Sequence, residues 1–323
     1  MKAIVQHTYG EPDVLRLQDV DDPSPAADEV LVRVHAAGVD RGVWHLVTGT
    51  PYPVRLAGYG VRAPKNPVPG TDVAGVVEAV GEDVTRFRVG DAVFGVAKGS
   101  FAELARARED RLAPKPANLG HEQAAVVAVS GVAALRAVRD HGHISPGQQV
   151  LVIGASGGVG TYAVQLAKAF GAEVTGVCST TKVDLVSSLG ADRVIDYSRE
   201  DFAAGERRYD VILDIGGNST LRRLRRALTA KGALVIVGGE TGGRFLGGFD
   251  RQIRAMLLSP FVGQRLGTFV SSESAENLVA LKELIEAGKV IPVIDRTFPL
   301  AEAPDAIRYV EQGRARGKVA ITI

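Results

Sequence analysis

The sequence predicts an α/β protein of two domains: a small, mostly antiparallel β domain and a doubly wound domain on a parallel sheet. Three observations carry this. The chain has 323 residues, more than one domain of about 150 residues requires. Residues 1 to about 120 form short β-branched segments separated by Gly and Pro clusters. From about His121 onward, strand patterns alternate with helical ones, the texture of parallel strands joined by crossovers.

Lys2 to Gln6, Glu29 to Ala36, Gly75 to Val80 and Asp91 to Val96 read as strands, β-branched and bounded by turn residues. Val39 to Pro69 holds Trp44, Tyr52 and Tyr59, with His45 nearby, and has no clear period. The run Ala124 to Leu135 is apolar except for Ser130 and Gly131. It reads as a buried helix, well short of the roughly 20 residues that span a bilayer. Gln149 to Gly154 is a buried strand, and Thr161 to Phe170 a helix with apolar residues at helical spacing. Glu173 to Val177 is a strand, and Lys182 to Leu189 a helix ended by Gly190. Arg193 to Ile195, Tyr209 to Ile215 and Ala233 to Val237 are strands, with helix Leu221 to Leu228 before the last. Leu266 to Val270 is a strand, Ala275 to Ala287 a helix, and Val319 to Ile323 a closing strand. Neither internal repeats nor low-complexity segments occur.

Composition narrows the function classes. Apolar residues are 46% and charged residues 23% of the chain, the balance of a soluble globular protein. The formal net charge of +1 gives no overall field toward nucleic acid or anionic membrane. Cys178 is the single cysteine, which excludes an internal disulfide and a cysteine-based structural zinc site. The N-terminal apolar stretch, Ala3 to Val5, is too short for a signal-peptide core. A reducing cytoplasm is the expected compartment. Glycine is in excess, 38 residues against about 23 from ordinary usage.

The strongest chemical signal is the run VLVIGASGGVGTYAVQLAK from Val150. Strand, glycine turn and helix follow in the order that a G-x-G-x-x-G motif requires, with Ala155, Gly157 and Gly160 at the motif positions. Such a turn aims backbone N–H groups and a positive helix end at a pyrophosphate. Gly154, Ser156, Gly158 and Val159 complete the expected cradle. An NAD site places Asp or Glu about 20 residues on, at the end of the second strand. Here that place reads Cys178, Ser179, Thr180, then Lys182. Hydroxyls and a lysine suit a 2′-phosphate, so NADP(H) is expected; the bland alternative for Lys182 is an exposed helix lysine.

Other motifs are missing. The six histidines form no H-E-x-x-H, and no G-x-S-x-G elbow occurs, which disfavours hydrolase chemistry. His141 and His143 flank a glycine and read as a surface turn, and Gly120-His121-Glu122 as a turn and helix start. No Tyr-x-x-x-Lys pair follows Tyr162 or Tyr197.

Several stretches resemble the medium-chain dehydrogenase/reductase superfamily. They are AAGVDRGVWHLVTG (36–49), PGTDVAGVVEAVGEDVTRFRVGDAVFG (69–95), AVVAVSGVAAL (125–135), the VLVIGASGGVG turn and the ending GRARGKVAITI. Together they extend over essentially the whole chain, and within the superfamily it resembles the zinc-independent quinone oxidoreductases, which include enone and alkenal reductases. Where zinc alcohol dehydrogenases carry a Cys ligand this chain has Asp40, and where they carry G-H-E it has Gly70-Thr71-Asp72. Two carboxylates without His or Cys make a poor zinc site, so no metal is expected. Relatives usually have Asn at position 40 and Thr at 133; this chain has Asp40 and Ala133.

The resemblance implies a GroES-like catalytic domain from residues 1–121 and 271–323 and a Rossmann NADP-binding domain from 122–270, with the active cleft between them. It implies Ser179, Lys182 and Tyr197 as adenosine-phosphate contacts, and Gly238 and Gly239 as backbone contacts near the nicotinamide. Thr180 and Ser130 join that cofactor set. Tyr52 to Pro69 is expected to shape the substrate pocket, and a homodimer to form through strand Leu266 to Val270. The implied reaction is hydride transfer from NADPH to a quinone or an α,β-unsaturated carbonyl. Asp40 is expected to orient substrate or ribose. Tyr52, Tyr59, His45 or solvent is the expected proton donor, and Trp44 a pocket wall or core residue. Two rival readings are a zinc-independent NADP-dependent alcohol dehydrogenase and a non-catalytic NADPH-binding protein.

Overall fold

The computed structural model describes residues 1–239 and 243–323. The chain forms two units, Met1–Val132 with Ser272–Gly288 and Pro292–Ile323, and Ala133–Ser271 with Lys289–Ile291. Sequence texture changes at His121, eleven residues before the first unit ends. The physical reason is that the first helical turns after His121 are buried against strands of the first unit.

The first unit opens with an antiparallel pair, β1 (Lys2–Val5) and β2 (Arg16–Asp19). Then follow β3 (Glu29–Val39), helix α1 (Arg41–Thr48), β4 (Asp72–Val80), β5 (Ala92–Val96), β6 (Leu104–Arg108) and β7 (Leu112–Pro114). The apolar run that reads as one helix begins on the last residue of α2 (His121–Ala124), passes through a turn at 125–127 and continues as α3 (Ala128–Arg136). Helix α1 lies in the segment without a clear period. It is short, but its ends are conventional: Asp40 caps the first turn and Gly49 (φ 63°) closes the last.

The second unit alternates β8 (Gln149–Ile153), α4 (Gly158–Ala169), β9 (Glu173–Cys178), α5 (Val183–Ser188) and β10 (Arg193–Asp196). It continues with β11 (Tyr209–Asp214), α6 (Leu221–Ala227), β12 (Leu228–Ile236), α7 (Gly243–Leu246), α8 (Phe249–Leu258) and β13 (Arg265–Thr268). The six strands are all parallel, in the order β10-β9-β8-β11-β12-β13. Chain direction across the sheet therefore reverses between β8 and β11, and ligands of doubly wound sheets sit at that reversal. Leu151, Ile153, Ile212, Leu234 and Ile236 face the core of this unit.

The chain then returns through α9 (Ala275–Glu286), β14 (Ile294–Pro299), α10 (Ala303–Glu311) and β15 (Lys318–Thr322). The larger sheet of the first unit runs β14-β15-β3-β4-β5-β7, with β6 also on β3. Only the β14–β15 pairing in it is parallel.

Candidate active site

In the second unit the glycine turn leaves the carboxyl end of β8, at the strand-order reversal. Gly154 takes φ 85°, and its N–H and that of Ala155 both donate to Val177 O. Gly157 caps α4 without a side chain, and its own N–H donates to Gly154 O. The two motif glycines differ in what surrounds them. A Cβ on Gly160 would lie 2.1 Å from Gly154 O and 2.8 Å from the Ala155 backbone. A Cβ on Gly157 would meet only Gly154 O, at 3.5 Å. Gly160 thus lets helix and strand close up, while Gly157 keeps the outer face open. The first-turn N–H groups of Gly158, Val159 and Gly160 have no acceptor within the helix, and together with the helix dipole they suit an anion. Ala155 and Ser156 are buried within the turn.

At the end of β9, Cys178 is buried, and burial with nearby Asp196 pushes its thiol up to about 11. That thiol is no nucleophile. Ser179 and Lys182 are half-buried across a tight turn in which Lys182 N donates to Ser179 O at 2.9 Å. Tyr197 is exposed, its N–H on Cys178 O. Sequence reasoning finds no acid at the end of β9, but parallel register brings one from the next strand: Asp196 pairs with Cys178. Thr180 Oγ1 donates to Asp196 Oδ2 at 2.6 Å and Ser198 Oγ to Oδ1 at 2.7 Å. These bonds, Thr180's first, hold the Asp196 carboxyl below its ordinary range. The Thr180 hydroxyl hydrogen is therefore committed within the protein.

After β12, Val237 N and Gly238 N donate to Asp214 O. Arg251 of α8 donates to Gly238 O (2.9 Å), Ser219 O (2.8 Å) and the Asp214 carboxylate. Asp214 is fully buried, and burial pushes its carboxyl up. Sequence reasoning missed this pair, which holds the Gly238–Gly239 backbone.

In the first unit, Asp40 Oδ1 accepts from Val43 N at 3.0 Å and caps α1. Its Oδ2 is buried without a hydrogen bond, 3.9 Å from Lys318 Nζ. Trp44 is half-buried against the core of this unit, with Arg41 stacked 4.5 Å from its ring centre. His45 Nδ1 lies 2.7 Å from Thr50 O. A carbonyl only accepts, so Nδ1 carries a hydrogen here. Tyr52 and Tyr59 are exposed. Arg55 stacks between Tyr9 (4.5 Å) and Tyr52 (4.9 Å) and donates to Gly49 O, while Tyr9 Oη donates to Tyr59 O and Gly60 O. This ties the segment after α1 into a fixed loop.

Ser130 is fully buried in α3. Its Oγ accepts from Lys318 Nζ at 2.9 Å, and the same ammonium donates to Asp72 Oδ2 at 3.3 Å. Asp72 Oδ1 accepts from Val129 N at 2.8 Å. Lys318 escaped sequence reasoning. The one signal available was a charged residue heading an otherwise apolar strand. Among the described residues, no three His, Cys, Asp or Glu side chains converge as a metal site, and none of the helices is long and apolar enough to cross a membrane.

Comparison with known proteins shows what the chain is similar to. Residues 26–117 match the alcohol dehydrogenase GroES-like domain, and residues 189–321 match the zinc-binding dehydrogenase family. The mitochondrial NAD(P)H oxidoreductase RTN4IP1 of Mus musculus is 34% identical over 100% of this chain and 89% of its own length. The quinone oxidoreductase of Sus scrofa is 33% identical over 100% of this chain and 98% of its own. The crystal structure of Escherichia coli quinone oxidoreductase complexed with NADPH superposes with a TM-score of 0.84 at 27% identity, covering 100% of both chains.

Proposed function

The chain belongs to the medium-chain dehydrogenase/reductase superfamily, in its quinone oxidoreductase group, and from that membership we propose an NADPH-dependent enzyme that reduces quinones or α,β-unsaturated carbonyls without a metal. The observation that carries this reading is the open glycine turn at the strand-order reversal: a Cβ at Gly157 would meet only Gly154 O, at 3.5 Å, so the face over the start of α4 is free for a pyrophosphate.

When bound, NADPH supplies the hydride. The protein's part is to bind, orient and shield. The N–H groups of Gly158, Val159 and Gly160 hold the pyrophosphate. Ser179, Lys182 and Tyr197 receive the 2′-phosphate, for which a lysine and a hydroxyl are suited. Arg251 fixes the Gly238 carbonyl, and the Gly238–Gly239 backbone would contact the nicotinamide. Asp40 is assigned to orienting the substrate or the cofactor ribose. His45, Tyr52 and Tyr59 stand as candidate proton donors. A conjugated carbonyl delocalises the charge that develops on its oxygen, so no metal is required.

Metal independence rests on the donor set: Asp40 and Asp72 share the Lys318 ammonium. A cytoplasmic location and a homodimer through β13 belong to the same reading.

The test is spectrophotometric. NADPH oxidation is followed at 340 nm against quinones, enones and ketones, beside NADPH and NADH binding and a zinc analysis. Turnover with quinones or enones is expected, with Lys182→Ala weakening NADPH about tenfold more than NADH, the scale of one charged hydrogen bond. Equal wild-type affinity for both cofactors would count against the phosphate assignment, and stoichiometric zinc against the metal-free mechanism. Turnover of ketones alone would favour an alcohol dehydrogenase.

A further inference from the structure

Dinucleotide folds that use NAD present an acid at the end of the second strand, where it accepts from the ribose 2′-hydroxyl. At that place, just past β9, this chain has Ser179 and Thr180. Parallel register nonetheless delivers a carboxylate from the neighbouring strand. Asp196, the last residue of β10, pairs with Cys178, the last residue of β9. Tyr197 N donates to Cys178 O at 3.1 Å and holds the two strand ends together. All of these residues belong to the second unit.

The carboxylate is capped by its neighbours. Thr180 Oγ1 donates to Oδ2 at 2.6 Å, and Oδ1 accepts from Ser198 Oγ at 2.7 Å and from Ser198 N at 3.0 Å. Arg199 Nε lies 3.5 Å from Oδ2. Thr180 and Ser198 are exposed and Asp196 is half-buried, so the cap lies at the surface, where a ligand reaches it. These hydrogen bonds, Thr180's first, keep the carboxyl ionised. Burial and then Asp196 push the Cys178 thiol up while Lys182 pulls it down, so carboxylate and ammonium flank the same strand end. An ionised carboxylate beside that lysine opposes a 2′-phosphate unless its charge is restrained.

We propose that the Thr180–Asp196 pair sets the choice between NADPH and NADH. The Thr180 hydroxyl caps Oδ2; uncapped, that oxygen would accept from the 2′-hydroxyl of NADH and repel the 2′-phosphate of NADPH. Asp196 is thus a specificity determinant, and Thr180 its positioning residue. This deepens the reading above and rests on it, since the adenosine ribose must lie at the end of β9. A purely structural bond between the two strand ends would serve both cofactors alike, and substitution at each end of the bond separates the two roles.

NADPH and NADH dissociation constants come from cofactor fluorescence at low ionic strength, where charge effects are least screened. Thermal unfolding checks that each variant is folded. Thr180→Val removes the cap and keeps the side-chain shape. It should lower the preference for NADPH over NADH by roughly tenfold, the scale of one charged hydrogen bond. Asp196→Asn removes the charge at the other end of the same bond and should raise that preference several-fold. Thr180→Ser restores a hydroxyl and should return the wild-type ratio; a ratio matching that of Thr180→Val would overturn the proposal. Loss of a merely structural bond moves the ratio the same way in Thr180→Val and Asp196→Asn, or in neither. Either pattern overturns the proposal, as does movement in one of the two alone. Equal wild-type affinity for both cofactors counts against the Lys182 assignment, while opposite shifts from that starting ratio still uphold the pair's role. A wild-type protein that binds neither cofactor overturns the cofactor reading and the proposal with it, a result distinct from matched shifts.

Discussion

At Asp72 two influences oppose one another. Burial pushes its carboxyl from the ordinary 3.8 up to about 7, against the pull of Lys318 and with a further push from Asp40. A group whose pKa rises on folding favours the folded state while protonated, and that contribution disappears as pH climbs through the folded value. Asp72 therefore supports stability most fully below about pH 4 and loses that support between pH 4 and 7. Asp72→Asn stays neutral throughout, so the unfolding temperature of the wild type relative to this variant should fall by on the order of 5 °C between pH 5 and 8. A difference that stays constant over this range would show that Asp72 remains ionised in the folded protein, held so by Lys318. The same site marks how far single residues are legible. Asp40 is conspicuous because it replaces an expected Asn. Lys318 is not, because its partner Asp72 lies 246 positions away and only strand register joins them. Asp196 is hidden for the same reason, arriving beside Thr180 from a neighbouring strand.

Elements were legible where their local pattern is dense. The β8–turn–α4 run states its own strand, glycines and helix, and the structure differs mainly in starting α4 at Gly158 instead of Thr161. Helix α1 has only eight residues, too few for a period to emerge beside its aromatic neighbours. The break between α2 and α3, at 125–127, is invisible because the sequence there is apolar without interruption. The glycine turn offers a paired prediction at this scale. Gly160→Ala drives a methyl group into the Gly154 carbonyl, so helix and strand must separate, at a cost of about 1–3 kcal/mol typical of overpacking. Gly157→Ala meets ordinary contact distance and a backbone angle that alanine accepts, and should leave the unfolding temperature close to wild type. It should nonetheless weaken NADPH, because its methyl group stands on the face the pyrophosphate approaches. Denaturant titration and NADPH binding on both variants check this. Equal stability losses would mean that the two glycines share one packing role.

For the molecule as a whole, composition and alternation were enough to read two domains and a parallel sheet, but not the order of its strands. That order depends on which crossover returns to which side, and no local pattern encodes it. It leaves β13 at one edge of the six-stranded sheet, paired only with β12 among the described residues. Open edges invite a second strand. Part of this one is already covered, since Leu266 N donates to Ser259 Oγ and Arg136 to Val270 O. Alternation along a strand gives Thr268 the same outward aspect as Leu266, so Thr268 offers the backbone groups for pairing with another copy. Exposed apolar side chains in the same unit, among them Phe261 and Val270, would gain burial in such a contact. If two chains join edge to edge, light scattering should report twice the 34.0 kDa chain mass. Thr268→Pro removes the outward N–H at a position where an edge strand tolerates proline, and should shift the protein to a monomer with its thermal unfolding largely retained. A dimer unaffected by Thr268→Pro would place the contact on another face, and a wild-type monomer would remove the edge as an assembly site altogether.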